Sequence, residues 1–208
     1  MENGPLKAEP NPFSGLLAFL TNPAWPTAVF WLLLLASVGI AFSAWQRDPA
    51  QRTTRTVGIW LLRLIMGTMW WQQSLWKIPP NYDGLVFWMK QMVAHSSIPL
   101  QASLVDSFVV PHIAVFGPLV YLLEVLIGVS LMAGAFTRVF SLLGLLMALN
   151  LWVGLYSAPN EWPWTYGYLI VIQALFAIDP PGRRLGLEKP VAELGEATRR
   201  IDLIRKRL

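Results

Sequence analysis

Two ionisable residues lie inside long apolar stretches of this chain, and they are its strongest candidates for chemistry. Arg63 interrupts the stretch IWLLRLIMGTMWW, and Glu124 interrupts LVYLLEVLIGVSLMAGAF. On helices with a rise of about 1.5 Å per residue, the two charges lie about 12 and 18 Å from the same membrane edge. Each charge alone costs about 2.5–3.5 kcal/mol in a membrane. Because one acid and one base are available at this depth, the sequence predicts an Arg63–Glu124 pair facing the interior of a helix bundle.

Helical spacing places further polar, aromatic and small residues beside the two charges. The first helix face carries Arg63, Gly67, Trp70, Ser74 and Lys77, and the second carries Gly117, Tyr121, Glu124 and Gly128. Glycines let two backbones approach closely, or they leave a slot between helices. A polar slot with aromatic walls suits a quinone, which has carbonyl oxygens and a flat ring, and it equally suits a lipid. The alternative is that these groups, with Asn150 and Gln173 at similar depth, only hold the helices together.

The composition excludes several kinds of site. The chain has no cysteine, so disulfides, cysteine-ligated zinc and iron–sulfur clusters are not expected. Its two histidines, His95 and His112, fall near the predicted membrane edge, so no haem is expected either. The pI is about 9.6, but the basic residues do not cluster on a soluble face. Nucleic acid is therefore not a predicted partner.

The balance of apolar and charged residues predicts an integral membrane protein. Of the 208 residues, 55% are hydrophobic and 13% are charged, which is about half the charge of a typical soluble domain. Five segments are long and apolar enough to cross about 30 Å of hydrocarbon. They lie at 25–46, 57–77, 109–135, 139–157 and 162–178. We therefore predict an all-α fold with five transmembrane helices.

The distribution of lysine and arginine predicts the orientation of these spans. With the N-terminus outside, twelve of the 16 basic residues lie on the inner side and three on the outer side. Positive residues favour the cytoplasmic side, so the C-terminus is predicted to be cytoplasmic. Eight of the 11 tryptophans fall toward the outer half: Trp25, Trp70, Trp71, Trp76, Trp88, Trp152, Trp162 and Trp164. An interfacial aromatic belt accounts for most of them. Because eight on one side exceed what anchoring needs, contact of the cluster with a planar ligand or a partner protein is the alternative.

Five pieces of the sequence resemble the DoxX/DoxD family of small bacterial membrane proteins. They are LLRLIMGTMWWQQSLWKIPP, YLLEVLIGVSLMAGAFTR, LLGLLMALNLWVGL, EWPWTYGYLIVIQALFAID and GRRLGL. The resemblance implies a four-helix core in the bacterial inner membrane. It also implies a relation to the small membrane subunit of thiosulfate:quinone oxidoreductase. It places the helix arginine of the family at Arg63, its outer-end lysine at Lys77 and its acid at Glu124.

This resemblance divides the chain into three parts. Residues 1–56 form an N-terminal interfacial segment and an extra span, and residues 57–179 form the DoxX-like core. An outer surface helix is predicted near 83–96. Residues 180–208 form a basic, amphipathic cytoplasmic tail.

We expect the chain to be the membrane subunit of a quinone-linked oxidoreductase complex, with the thiosulfate:quinone type as one candidate. Catalysis by this chain alone is not expected. The predicted quinone site consists of Arg63, Glu124, Tyr121, Trp70, Trp71 and Lys77. Its expected partners are membrane lipid and other subunits, bound through the tryptophan-rich outer face or the cytoplasmic tail. The alternative is a non-catalytic scaffold or assembly subunit of a larger membrane complex.

Overall fold

The computed structural model of the chain describes residues 12–159 and 161–194, and all regular structure within them is helical. The helices are α1 Pro12–Thr21, α2 Trp25–Arg47, α3 Thr54–Ser74, α4 Asp83–His95, α5 Pro99–Leu104, α6 Ile113–Ala133, α7 Thr137–Gly154 and α8 Pro163–Ile178. The predicted cytoplasmic tail, 180–208, is described as far as residue 194 and is helical over 188–194, and its residues 195–208 lie outside the described residues. The fold is therefore all-α, as the sequence predicts.

Three helical segments of the described residues are long and apolar enough to cross a membrane, which indicates a membrane protein. They are Trp25–Arg47, Pro99–Ala133 and Thr137–Gly154. α8 is apolar but has 16 residues, or about 24 Å at the helical rise, against about 30 Å of hydrocarbon. α3 carries Arg55 and Arg63 within its 21 residues. Spans at α3 and α8, and the orientation of the chain, stay predictions.

Local signals in the sequence set where several helices begin and end. The Thr53 hydroxyl accepts a hydrogen bond from the Thr56 backbone N–H at 3.2 Å and caps the start of α3. Proline stands in the first turn of α2 and of α8, where no backbone donor is lost. Gly134, with φ at 71°, ends α6 in the left-handed conformation that glycine adopts most easily. The short connection that follows turns the chain directly into α7.

The interior of the bundle is formed by α3, α6, α7 and α8. Met66 and Trp70 of α3 pack with Ile127 and Leu131 of α6 and with Phe176 of α8. From α7, the side chains of Phe140, Leu143 and Met147 pack against this cluster. The helix α2 lies outside it, where Phe30 packs with Trp71 and Met132.

The segment between α3 and α6 covers one end of this bundle, which we term the α4 end. Leu85 and Met89 of α4 pack with Val105, which follows α5. Met92, also on α4, packs with Leu155 and Ala158 just after α7. The predicted surface helix near 83–96 corresponds to α4, which is anchored to the bundle through its buried face. We term the opposite end, where α6 turns into α7, the Gly134 end.

Two glycines bring the backbones of α3 and α6 together. A Cβ on Gly67 would lie 3.0 Å from the Gly128 carbonyl oxygen and 2.8 Å from Met132 Cγ. A Cβ on Gly128 would lie 3.0 Å from the Trp71 backbone nitrogen. The sequence predicts that these glycines either allow two backbones to approach closely or leave a slot between the helices. In the structure they allow the close approach of α3 and α6.

We expect Gly67→Ala to destabilise the protein by about 1–3 kcal/mol, because the added methyl group overpacks this crossing. Gly58→Ala is the matched control on the same helix, since no heavy atom lies within 4 Å of its added Cβ. This control is expected to retain or raise stability, because alanine favours helix over glycine by up to about 1 kcal/mol. Thermal unfolding in detergent, followed by circular dichroism, measures both. Equal unfolding midpoints for the two variants would contradict the close crossing.

Candidate functional site

A buried ion pair between Lys77 and Glu124 lies toward the α4 end of the bundle. The Lys77 Nζ donates to Glu124 Oε1 at 2.8 Å and to Oε2 at 2.6 Å. The two side chains are 6% and 4% exposed. Lys77 follows α3 in a single 3₁₀ turn, Leu75–Lys77, and Glu124 lies midway along α6. The pair therefore joins the two helices that the glycines hold together.

The remaining contacts of Lys77 complete its hydrogen bonding. Its Nζ also donates to the Gln73 carbonyl oxygen at 3.0 Å, so each of its three protons has an acceptor. The same nitrogen lies 4.0 Å from the centre of the Trp76 ring, within the range of a cation–π contact. Both charges are thus compensated inside the protein, which offsets much of the cost of their burial.

Arg63 lies midway along α3 and contacts backbone rather than an acid. Its Nη1 donates to the carbonyl oxygens of Leu131 at 2.5 Å and Met132 at 3.1 Å. Its Nη2 donates to the Leu185 carbonyl oxygen at 3.2 Å. Leu131 and Met132 are in the last turn of α6, where carbonyls lack partners within the helix. A cation there also complements the negative end of the helix dipole, so Arg63 caps the C-terminus of α6.

The chain after α8 completes the surroundings of Arg63. Gly134 and Gly186 lie in contact, so a Cβ on Gly134 would collide with the Arg63 guanidinium and with the Gly186 Cα. Leu185 has φ at 49°, an unfavourable conformation for leucine that accompanies its hydrogen bond to Arg63. The Leu185 backbone N–H donates to Gln51 Oε1 at 3.2 Å. Arg63 therefore fixes the segment 182–188 against the end of the bundle.

The same segment is held by a second polar contact. The Thr137 hydroxyl donates to Glu188 Oε2 at 2.6 Å and accepts from the Gly182 backbone N–H at 3.2 Å. Residues of the motif LMAGAFTR thus meet residues of GRRLGLE at the Gly134 end. Nothing in the spacing of these two motifs indicates that they meet, because they are separated by α7 and α8.

The predicted Arg63–Glu124 pair is wrong. The acid pairs with Lys77, and the arginine binds carbonyl groups near Leu131, seven residues and about 10 Å further along α6. The difference has two physical reasons. The distribution of charge predicts Lys77 outside the membrane, and backbone carbonyls, which bind the guanidinium, leave no signal in the sequence. The helical spacing does indicate Lys77, because it places Lys77 on the same helix face as Arg63. At the helical rise, however, Lys77 lies about 21 Å from Arg63.

The two predicted aromatic residues of α3 are buried in different clusters. Trp70 packs with Met66 in the centre of the bundle, and Trp71 packs with Phe30 on the side of α2. Neither indole N–H has a hydrogen-bond partner among the described residues. Tyr121, the third predicted aromatic, is half-buried on α6. Trp70 and Trp71 therefore lie on two sides of α3 rather than on two walls of one slot.

The two amides at similar depth have different surroundings. Asn150 Oδ1 accepts from Gln101 Nε2 at 2.7 Å, which ties α7 to α5. Gln173 is fully buried, and its amide packs on Gly144 of α7 without a hydrogen-bond partner among the described residues. Neither amide contacts the Lys77–Glu124 pair by hydrogen bonding.

No protein-family model, curated protein or solved structure matches this chain. The DoxX/DoxD resemblance therefore depends on the quoted motifs alone.

We expect Lys77→Met to lower the free energy of unfolding by about 3–5 kcal/mol, because it leaves the Glu124 carboxylate buried without a cation. The double variant Lys77→Met/Glu124→Leu removes both charges and keeps similar side-chain volumes, so it is expected to recover most of this loss. Denaturant or thermal unfolding in detergent compares the two. A double variant as unstable as the single one would show that the pair is not an isolated ionic contact.

Arg63→Met is expected to destabilise the protein on the order of 3 kcal/mol, because buried carbonyl groups lose their donors. Its effect should add to that of Glu124→Gln within about 0.5 kcal/mol, since the two sites share no partner. A double-mutant cycle in unfolding free energy measures the coupling. A coupling of about 1–3 kcal/mol would instead indicate a direct Arg63–Glu124 interaction.

Proposed function

We propose that this chain is the membrane subunit of a quinone-linked oxidoreductase complex, with the Lys77–Glu124 pair as its polar site. The observation that carries the proposal is the burial of both charges within an apolar helix bundle. Ionisable residues in such positions are costly and commonly mark sites that bind a ligand or move a proton. Among the described residues, this is the ion pair that is buried on both sides.

An apolar groove beside α3 supports the same function. It has a volume of about 340 Å³ and lies between α3 and α8. Its lining residues are Met66, Met69, Trp162, Thr165, Tyr168, Leu169 and Ile172. Such a groove suits the apolar tail or the flat ring of a quinone. Lys77 follows Met66 by eleven residues, in the 3₁₀ turn after α3.

The chemistry assigns different tasks to this chain and to its partners. A quinone is reduced to a quinol by two electrons and two protons. In this proposal Lys77 is the hydrogen-bond donor for a quinone carbonyl oxygen, and Glu124 is the group that can hold a proton. The electrons come from another subunit, since the chain has no cysteine to carry sulfur or iron–sulfur chemistry. The bacterial inner membrane and the thiosulfate:quinone type belong to this proposal through the sequence resemblance.

A second function, that of a scaffold or assembly subunit, is favoured by the closed state of the ion pair. All three protons of the Lys77 ammonium have acceptors within the chain. Neither the groove beside α3 nor a second groove beside α2 is lined by Lys77 or Glu124. In a scaffold, the pair would only fix the register of α3 and α6.

Quinone binding separates the two functions. We expect Lys77→Met/Glu124→Leu to weaken the binding of a short-chain benzoquinone to the purified chain at least about tenfold while the fold is retained. Trp162→Leu should also weaken binding, because Trp162 lines the groove. Trp164→Leu is the matched control, since Trp164 is similarly exposed and lies outside it. Equilibrium dialysis measures the Kd. An unchanged Kd in the double variant would exclude the pair as a quinone site and leave the scaffold.

A further inference from the structure

A wide groove lies at the Gly134 end of the protein, away from the Lys77–Glu124 pair. It has a volume of about 810 Å³ and runs between the second half of α2 and the segment 183–193. This size is within the range of small-molecule binding sites. Its α2 wall is lined by small and apolar residues, among them Ala36, Gly39 and Ile40. Open space faces this wall, because a Cβ on Gly39 would meet no heavy atom within 4 Å.

The groove changes from apolar to cationic along its length. α2 is one of the apolar helices able to cross a membrane, and it ends at Arg47. Arg47 and Arg183 line the polar end of the groove, and both are exposed. Neither guanidinium forms a hydrogen bond or a salt bridge with any residue of the described part of the chain. The groove therefore runs from the hydrocarbon side of α2 to two unpaired cations at the membrane boundary.

The acids near these two cations form ion pairs with other residues. Asp179, whose charge acts on Arg183, pairs with Arg184 at 2.8 Å. Lys189 Nζ pairs with Asp48 Oδ2 at 2.9 Å and links the two walls. The hydrogen bond from Lys189 and that from the Ala50 backbone N–H hold the pKa of Asp48 below its usual value, so this pair is ionised at neutral pH. Glu193 is the remaining acid of the lining. Arg52 lies beside the groove, where its side chain donates to the Trp45 and Gln46 carbonyl oxygens and adds positive charge.

We propose that this groove binds an anionic phospholipid. Arg47 and Arg183 hold its phosphate, and an acyl chain lies along Ala36, Gly39 and Ile40. Guanidinium groups bind phosphate oxygens through paired hydrogen bonds, and basic residues at the membrane boundary favour anionic lipids. The apolar wall accounts for an acyl chain, which a soluble anion lacks.

The C-terminal residues of the chain are a less suitable occupant. Residues 195–208 contain five basic residues and two acidic ones. Their net charge has the same sign as the end of the groove, so electrostatic repulsion disfavours their binding there. Charge complementarity therefore selects the lipid.

Lipid retention by the full-length chain tests the headgroup contact. Native mass spectrometry in detergent measures the binding of phosphatidylglycerol and of phosphatidylcholine. We expect phosphatidylglycerol to bind at least about tenfold more tightly, and R47Q/R183Q to remove this preference. R55Q/K90Q is the matched control, since it removes the same charge at two exposed residues outside the groove. Equal binding of the two lipids by the natural chain, or an unchanged preference in R47Q/R183Q, would overturn the proposal.

A second pair of variants tests the acyl-chain contact. Gly39→Leu adds a side chain at the groove wall, and Gly58→Leu adds the same side chain on α3; at both positions the added Cβ meets no heavy atom within 4 Å. We expect Gly39→Leu to weaken phosphatidylglycerol binding at least about fivefold and Gly58→Leu to leave it unchanged, with both unfolding midpoints close to that of the natural chain. Equal binding by the two variants would overturn the placement of the acyl chain. Displacement of the lipid by millimolar inorganic phosphate would show a free-anion site and overturn the lipid as its occupant.

Discussion

The contact between α3 and α6 is the constraint on which the rest of this structure depends. These helices run antiparallel and approach closely at Gly67 and Gly128. On one side of the crossing Lys77 reaches Glu124, and on the other Arg63 reaches the carbonyl groups near Leu131. A slip of one helical turn, about 5.4 Å, would separate both sets of groups. The glycines permit the approach, and the buried charges make one register much more favourable than its neighbours.

The two cations of α3 are compensated in physically different ways. Lys77 is balanced by a formal negative charge on Glu124. Arg63 is bound by carbonyl groups that the end of α6 leaves without partners, and the negative charge of Glu188 acts on it without a direct ion pair. Since the guanidinium has several donors in a fixed plane, it can bind carbonyls of two separate segments at once. For this reason Arg63 also determines where the chain lies after α8, through its contact with Leu185.

Because Lys77 pairs with an acid and Arg63 binds carbonyl groups, the two ends of the bundle offer different groups to a ligand. The Lys77–Glu124 pair contains groups that can bind a quinone carbonyl or hold a proton, and it lies in the half of the molecule that α4 covers. Arg63 binds backbone carbonyl groups, whereas Arg47 and Arg183 at the Gly134 end are exposed. The proposed quinone and the proposed lipid would therefore use different residues and would not compete.

Much of the architecture follows from the sequence because it depends on local composition. The apolar runs, the proline positions and the glycine after α6 predict an all-helical membrane protein, and helix α4 begins where the surface helix is predicted. The importance of Arg63 and Glu124 also follows, since a charge in an apolar run needs a partner, and Lys77 is indicated by its helical spacing from Arg63 and by the family resemblance. None of these inferences requires knowledge of which helices touch.

The choice of partners was decided by tertiary structure. Sequence spacing gives the depth of a residue only along its own helix. It does not give the register of α3 against α6, and that register decides whether Arg63 or Lys77, about 21 Å apart, meets Glu124. Backbone carbonyls carry no sequence signal at all, so the binding of Arg63 to Leu131 and Leu185 could not be read from residue types. The groove between α2 and the segment 183–193 likewise forms between distant parts of the chain. Composition determines that these charges must be compensated, and helix packing determines which groups compensate them.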